Sequence, residues 1–384
     1  MSLITDTETL AAFCGRLKGV DFVTVDTEFM RETTYWARLC LVQVGGPDEA
    51  MCIDPLAPGI NLKPLYDLLA DKSMLKVFHA GRQDLEIFFT AMGEVPAPVF
   101  DTQIAAMVCG FGDQVGYEAL VAKLANANLD KSQRFTDWSQ RPLTERQVTY
   151  ALGDVTHLRK VYVALQKRLE KTGRAPWLDE EDAVLSDPAT YKVDPREMWR
   201  RLRARTRAPR MLAVLRELAA WREITAQSLD MPRQRVAKDD AILELAASMP
   251  ATVDDIKRSR LAKPLASGKY VDGVLTAVAK GRALPEAECP RLERDDGWDT
   301  QVPRAISELL KLLLKARSEQ HDVAQRLIAN SDDINSIALS DTADVPALHG
   351  WRRELFGEDA LKLKHGKLAI GLSANGKHVE VFER

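Results

Sequence analysis

The sequence contains no uninterrupted apolar run approaching the ~20 residues that span a bilayer, so no membrane-spanning helix is expected. Its first residues, Met1-Ser2-Leu3-Ile4-Thr5-Asp6, lack the basic and apolar regions of a secretory signal. Cysteine is sparse. Cys14, Cys40, Cys52, Cys109 and Cys289 are odd in number, scattered, and never spaced as C-x-x-C. Neither a disulfide framework nor a zinc site is indicated, and a reducing cytoplasm is the expected setting. Neither sign of charge dominates: the formal net charge of −3 does not announce a nucleic-acid partner. That average hides a contrast. Residues 1–175 carry −3, residues 176–195 carry −5, residues 196–290 carry +7 and residues 291–384 carry −2. The basic segment reads either as a surface for phosphates or as a solvated helical face.

What is present is ordinary in bulk: 384 residues, 46% hydrophobic and 28% charged. That length suggests about two or three domains, each able to bury a core. The first 175 residues mix strand and helix patterns. Phe22–Glu28, Ala37–Val44, Met51–Asp54, Leu75–Phe78 and Val99–Asp101 read as five strands, with Leu62–Ala70 and Gln83–Ala91 as helices. Strands first in hairpins and then alternating with helices predict an α/β domain with a mixed sheet covered on both faces. Pro176–Pro195 is acidic and contains three prolines, so it reads as a linker. Beyond it the pattern is helical, with a polar connector at Pro285–Pro303, a long helix over Ala305–Leu327 and a short hairpin around Asn375-Gly376.

Chemistry concentrates in three places. Val23-Thr24-Val25-Asp26-Thr27-Glu28-Phe29 is a β-branched run that ends in two acids one residue apart. On a strand, Asp26 and Glu28 share a face, where they repel each other unless a cation lies between them. Two solvated acids at a polar strand end are the competing reading. In Val77-Phe78-His79-Ala80-Gly81-Arg82-Gln83-Asp84-Leu85 a strand turns into a helix, placing Asp84 in the first helical turn near the carboxyl end of the strand. An acid favouring a positive helix N-terminus is the competing reading, and the commoner one for such a motif alone. In Gln147-Val148-Thr149-Tyr150-Ala151-Leu152-Gly153-Asp154-Val155, Tyr150 and Asp154 share one helical face at i and i+4. Four acids converging without cations would be costly, and two hard divalent ions, Mg²⁺ or Mn²⁺, would remove that cost.

The three elements resemble, in order and spacing, the exonuclease motifs of the DEDD superfamily. Tyr150 matches its tyrosine branch; Thr149 stands five before Asp154, where the histidine branch carries its base. Leu129-Asp130-Lys131-Ser132, Asp137-Trp138-Ser139-Gln140-Arg141-Pro142-Leu143 and Tyr150–Val155 are similar to the bacterial ribonuclease D family. Leu215–Ile256, with Arg222-Glu223 and Met231-Pro232-Arg233, resembles an HRDC domain, and Gly350-Trp351-Arg352-Arg353-Glu354-Leu355-Phe356-Gly357 a second, divergent one.

This resemblance implies an RNase H-like five-stranded mixed sheet followed by two small all-α HRDC-type domains. The expected divisions are an exonuclease domain at 1–175, a linker at 176–204, an HRDC domain at 205–288 and a second helical domain at 289–384. The implied activity is 3′→5′ exoribonucleolysis, with two divalent ions held by Asp26, Glu28, Asp84 and Asp154 and with Tyr150 orienting the attacking water. The implied partner is RNA, tRNA precursors with 3′ extensions in particular, acted on by a monomer. A proofreading-type DNA exonuclease and a non-catalytic RNA-binding scaffold are the alternatives. Phe29 and Met30 are candidate platforms for the terminal nucleotide, His79 a structural residue or a sugar contact, and Trp138 and Arg141 the lining of the substrate entrance. Core packing is the competing reading for Phe29, Met30 and Trp138. The arginine run from Arg196 to Arg210 reads either as a phosphate contact or as a solvated linker.

Overall fold

The computed structural model describes residues 2–130, 132–204, 206–291 and 302–384. Lys131, Arg205 and residues 292–301 of the expected second connector lie outside this range. The chain forms two compact units: Met1–Glu28 with Cys40–Thr190 and Asp296–Arg384, and Phe29–Leu39 with Tyr191–Asp295. All five cysteines are buried and none is joined in a disulfide. Among the described residues no helix is long and apolar enough to cross a membrane.

The first unit is built on a mixed sheet of β1 (Leu3–Ile4), β2 (Phe22–Met30), β3 (Arg38–Gly45), β4 (Ala50–Ile53), β5 (Leu75–Phe78) and β6 (Val99–Asp101), in the order β1-β4-β3-β2-β5-β6. β2, β5 and β6 run parallel, with Thr24 opposite Val77 and Phe78 opposite Asp101. β3 and β4 are antiparallel. The sheet has six strands where five are expected. The sixth is the two-residue β1, which pairs Leu3 with Cys52, and a pair of apolar residues carries no alternation to read. β2 also runs two residues past Glu28, so the acids lie inside the strand rather than at its end.

Helices α1 (Thr7–Arg16), α2 (Lys63–Leu69), α3 (Arg82–Met92), α4 (Thr102–Val108), α5 (Tyr117–Leu120) and α6 (Glu145–Thr172) cover this sheet. The longest, α6, has clear stops. Thr144 and Gln147 form a reciprocal capping box, and Gly173, at φ +67°, ends it in the left-handed region that glycine tolerates best. Its apolar stripe, Ala151, Val155, Leu158, Val161, Leu165 and Leu169, is buried. Two contacts seat it against β2. The Thr24 hydroxyl donates to the Val155 carbonyl at 2.8 Å, and the Arg159 guanidinium donates to the Phe22 carbonyl at 3.2 Å while lying 4.0 Å from the Phe22 ring centre. Gly45 permits this approach, since a Cβ there would fall 2.5 Å from Thr24 Oγ1 and 3.3 Å from Val155 Cβ.

Segment 176–204, expected as a linker, is structured. α7 (Asp179–Ser186) presents Glu180 and Glu181 to Arg352, and Trp177 stacks on Trp351 with centroids 4.4 Å apart. The C-terminal residues, expected to stand as a separate helical domain, share their core with the sheet: Leu310, Ile334 and Phe356 belong to the same buried cluster as Phe100, Leu158 and Leu165. This part is not all-α either, because Leu368–Leu372 (β7) and Val379–Glu383 (β8) form the hairpin foreseen around Asn375-Gly376. The long helix expected to Leu327 stops at His321, where Asp322 turns left-handed at φ +53°.

The second unit packs α8 (Pro209–Ser228) against short helices α9 (Arg233–Val236), α10 (Asp239–Ser248), α11 (Val253–Arg258) and α12 (Val271–Ala283). Leu212, Leu215, Leu218, Ile242, Leu245 and Val278 form its core. Three arginines of the basic run are occupied structurally: Arg196 pairs with buried Glu217 at 3.1 Å, Arg200 with Glu197 at 2.5 Å, and Arg210 donates to the Arg282 carbonyl at 3.0 Å. The segment Phe29–Leu39, which includes the end of β2 and the start of β3, belongs to this unit, and its Tyr35 is buried beside Ala226 and Val236. The Tyr35 hydroxyl donates to Glu223, whose carboxylate also receives Arg233.

The α6–β2 seat is testable. Gly45→Ala is expected to destabilise the protein by about 1–3 kcal/mol through overpacking. Combined with Thr24→Ala, which removes the obstructing hydroxyl, it should cost less than the two single changes together. A denaturation double-mutant cycle measures this, and strict additivity would contradict the contact.

Candidate active site

An open cleft of about 410 Å³ lies between β2 and α6. Asp26 and Glu28 enter it from alternate positions of β2, and Tyr150 and Asp154 from successive turns of α6. Carboxylate oxygens of Asp26, Glu28 and Asp154 all lie within 4.8 Å of one another. Two ionised carboxylates at that separation repel by roughly 3–4 kcal/mol at an effective dielectric of about 20. Among the described residues none of the three forms an ion pair with lysine or arginine. Each is accordingly pushed toward its protonated form. Glu28 rises to about 9 through burial, then through the charges of Asp26, Asp154 and Asp84. Asp154 rises to about 8 through burial and Asp26, and Asp26 to about 6 through burial. The field reaches Cys52, whose thiol is pushed up to about 12 by burial and then by the same three anions.

Asp84 stands apart from this triplet. It is 7% exposed in the first turn of α3, and its carboxylate accepts from the hydroxyl of Thr27, which lies between Asp26 and Glu28 on β2. Burial and the charge of Asp26 raise it well above the usual range. The turn that presents it is fixed by Asp101, which accepts from the amides of Ala80 at 3.0 Å and Gly81 at 2.9 Å. The Tyr150 phenol is held protonated by burial and by its acidic neighbours.

The other expected contacts divide. His79 lines the cleft, with Nδ1 3.0 Å from the Thr102 hydroxyl and burial favouring its neutral form. Trp138 does not line it; at 3% exposure it packs beside Tyr150, with centroids 6.1 Å apart. Arg141 is not among the cleft-lining residues. Its Nε and Nη2 bond the two carboxylate oxygens of Asp54 at 2.7 Å each, and its remaining donors reach the carbonyls of Cys40, Trp138 and Gln140. These bonds tie its guanidinium to Asp54 and the neighbouring backbone. Phe29 and Met30 are half-buried at the end of β2 and are not among the cleft-lining residues.

The cleft also contains residues outside the three acid-bearing motifs. Tyr117 donates its hydroxyl to the Asp154 carbonyl at 2.6 Å and so fixes the backbone of that acid. Glu118, Asp130 and Arg134 line the wall. No local spacing rule links these residues to the acids, and only the chain path brings them together.

An all-oxygen donor set of three converging, unpaired carboxylates fits a hard divalent cation such as Mg²⁺ or Mn²⁺, and does not suit a soft one. The donor chemistry therefore agrees with the divalent-metal dependence implied by the fold.

Residues 1–170 match the family model described as 3′-5′ exonuclease, and residues 211–278 match that of the HRDC domain. The ribonuclease D of Granulibacter bethesdensis is 51% identical, covering 99% of this chain and 96% of its own length. The ribonuclease D of Gluconacetobacter diazotrophicus is 53% identical, over 96% and 94% respectively. The crystal structure of Escherichia coli RNase D, described as an exoribonuclease involved in structured RNA processing, superposes with a TM-score of 0.79 at 32% identity, over 95% of this chain and 98% of that one.

The raised acids carry a pH signature. Without divalent cation, the folded chain binds more protons at Asp26, Glu28 and Asp154 than the unfolded chain does. Their contribution to stability is therefore most favourable at low pH and falls as pH rises from near 4 to about 9. Thermal midpoints in chelator should show this decline, Glu28→Gln should make it shallower, and Mg²⁺ or Mn²⁺ should offset it. Parallel wild-type and Glu28→Gln profiles would contradict the cluster's electrostatics.

Proposed function

The chain belongs to the ribonuclease D family, 3′→5′ exoribonucleases, and from that premise we propose how its own residues act and on which RNAs. The reading rests chiefly on one observation: Asp26, Glu28, Tyr150 and Asp154 share a single open cleft. We propose that RNAs with 3′ extensions, tRNA precursors among them, are shortened one nucleotide at a time. Water attacks the terminal phosphodiester in line, the P–O3′ bond breaks, a nucleoside 5′-monophosphate leaves, and the shortened RNA keeps its 3′ hydroxyl.

Asp26, Glu28 and Asp154 would hold two divalent ions, Mg²⁺ or Mn²⁺, with Asp84 completing the set from behind Thr27. Bound there, such ions supply positive charge to the attacking water and to the leaving 3′ oxygen. Tyr150, kept as a phenol, orients the water by hydrogen bonding rather than removing its proton. Trp138 holds the Tyr150 ring from the buried side, and Tyr117 holds the Asp154 backbone. His79, as a neutral imidazole on the cleft wall, faces the terminal sugar.

Residues 1–175 are read as the catalytic domain and 205–288 as an HRDC domain that adds basic surface. The excess of positive charge over residues 196–290 supports a polyanionic substrate. The enzyme is read as a cytoplasmic monomer, and its five cysteines, none in a disulfide, suit a reducing compartment.

Asp26→Asn and Asp154→Asn should each abolish release of nucleoside monophosphate while RNA binding, measured by filter retention, persists. Tyr150→Phe should lower kcat by about 10²-fold with little change in divalent-ion affinity. Divalent-dependent turnover that survives both carboxylate changes would overturn the assignment of the acids. Matched RNA and DNA oligonucleotides test the substrate, and DNA cut at least as fast as RNA would contradict it.

A further inference from the structure

Phe135 is 91% exposed, the highest exposure of any large apolar side chain among the described residues. Its ring buries almost nothing, so the hydrophobic effect does not explain its presence. Its neighbour Arg134 lines the acid-bearing cleft and places its guanidinium carbon 5.3 Å from the centre of the Phe135 ring. Arg134 is also the only lysine or arginine among the described residues that line the cleft, whose acids are Asp26, Glu28, Glu118, Asp130 and Asp154. A polyanion entering such a wall needs a fixed positive charge to approach. Arg134 is near enough to Tyr150 for its charge to favour the phenolate, against the push of the acids. The pair thus offers a cation inside the cleft and, one residue further along the chain, an unoccupied aromatic face.

We propose that Arg134 and Phe135 form the grip on the RNA 3′ strand, Arg134 taking a backbone phosphate and Phe135 stacking on a base. The assignment rests on the exoribonuclease reading of the cleft and adds to it the residues that hold the strand. Stacking on an open aromatic face tolerates any base, as an exonuclease that advances along a strand requires. A guanidinium beside the ring suits the phosphate next to that base. The competing account is a lone exposed phenylalanine without function, which is common on protein surfaces.

Steady-state kinetics on a single-stranded RNA oligonucleotide separate the two. Phe135→Ala should raise KM about 5- to 100-fold, far more than it lowers kcat. Phe135→Trp should hold KM near the wild-type value. Phe135→Leu, apolar but without a π face, should resemble Phe135→Ala. Arg134→Ala should raise KM and reduce the slope of log KM against log salt by about 0.7, the loss of one single-strand phosphate contact, whereas Arg134→Lys should keep the slope. A wild-type KM in Phe135→Ala, or full function in Phe135→Leu, would overturn the stacking role. An unchanged salt slope in Arg134→Ala would overturn the phosphate contact. Failure of the wild-type protein to shorten RNA would instead remove the exoribonuclease reading, so the two failures are distinct.

Discussion

The mutual repulsion of Asp26, Glu28 and Asp154 is the constraint around which the first unit is organised. Their oxygens meet within 4.8 Å, and among the described residues no lysine or arginine pairs with them. A fold that served stability alone would separate these side chains or give each a guanidinium, as it gives Asp54 to Arg141. The unpaired arrangement persists because the surrounding framework holds it. β2 lies between β3 and β5 in the sheet, and α6 is seated on it by Thr24, Arg159 and the missing side chain at Gly45. The carboxylates cannot move apart without disturbing that packing. Strain of this kind, concentrated in an open cleft, points to charge that arrives from outside.

The supporting interactions are of a different type from the cluster itself. The Tyr117 hydroxyl donating to the Asp154 carbonyl, the Ala80 and Gly81 amides donating to Asp101, and the Thr27 hydroxyl donating to Asp84 each tie one element to a neighbour. They fix direction more than they add stability, since one such bond contributes about 1 kcal/mol net. A site that must hold ions and place a water needs that control of direction. Placing Trp138 against the Tyr150 ring serves the same end by packing.

Local periodicity made part of this legible in the sequence. Asp26 and Glu28 share a strand face and Tyr150 and Asp154 share a helix face because 2.0 and 3.6 residues per repeat leave no other choice. The mixed sheet and the C-terminal hairpin follow from the same kind of local pattern. What escaped depends on distance. Arg141 sits in an entrance-like motif, yet its partner Asp54 lies 87 residues away. The C-terminal helices look like a free-standing module until Leu310 and Phe356 are seen in the core of the sheet domain. Asp84 reads as one acid of an equal four, but Thr27, from the opposite strand position, draws its carboxylate aside. Arg134 and Phe135 carry no spacing that marks them, because a strand grip depends on exposure, which sequence records poorly.

Burial and mutual repulsion leave Glu28 and Asp154 holding protons near neutral pH until divalent cations replace them. Calorimetric titration of Mg²⁺ or Mn²⁺ into metal-free protein near pH 7, repeated in buffers of different ionisation enthalpy, tests it directly. Saturable binding should be accompanied by net proton release, diminished in Glu28→Gln, since of the three converging carboxylates Glu28 is raised furthest. Saturable binding with no proton release, or no binding at all, would contradict it.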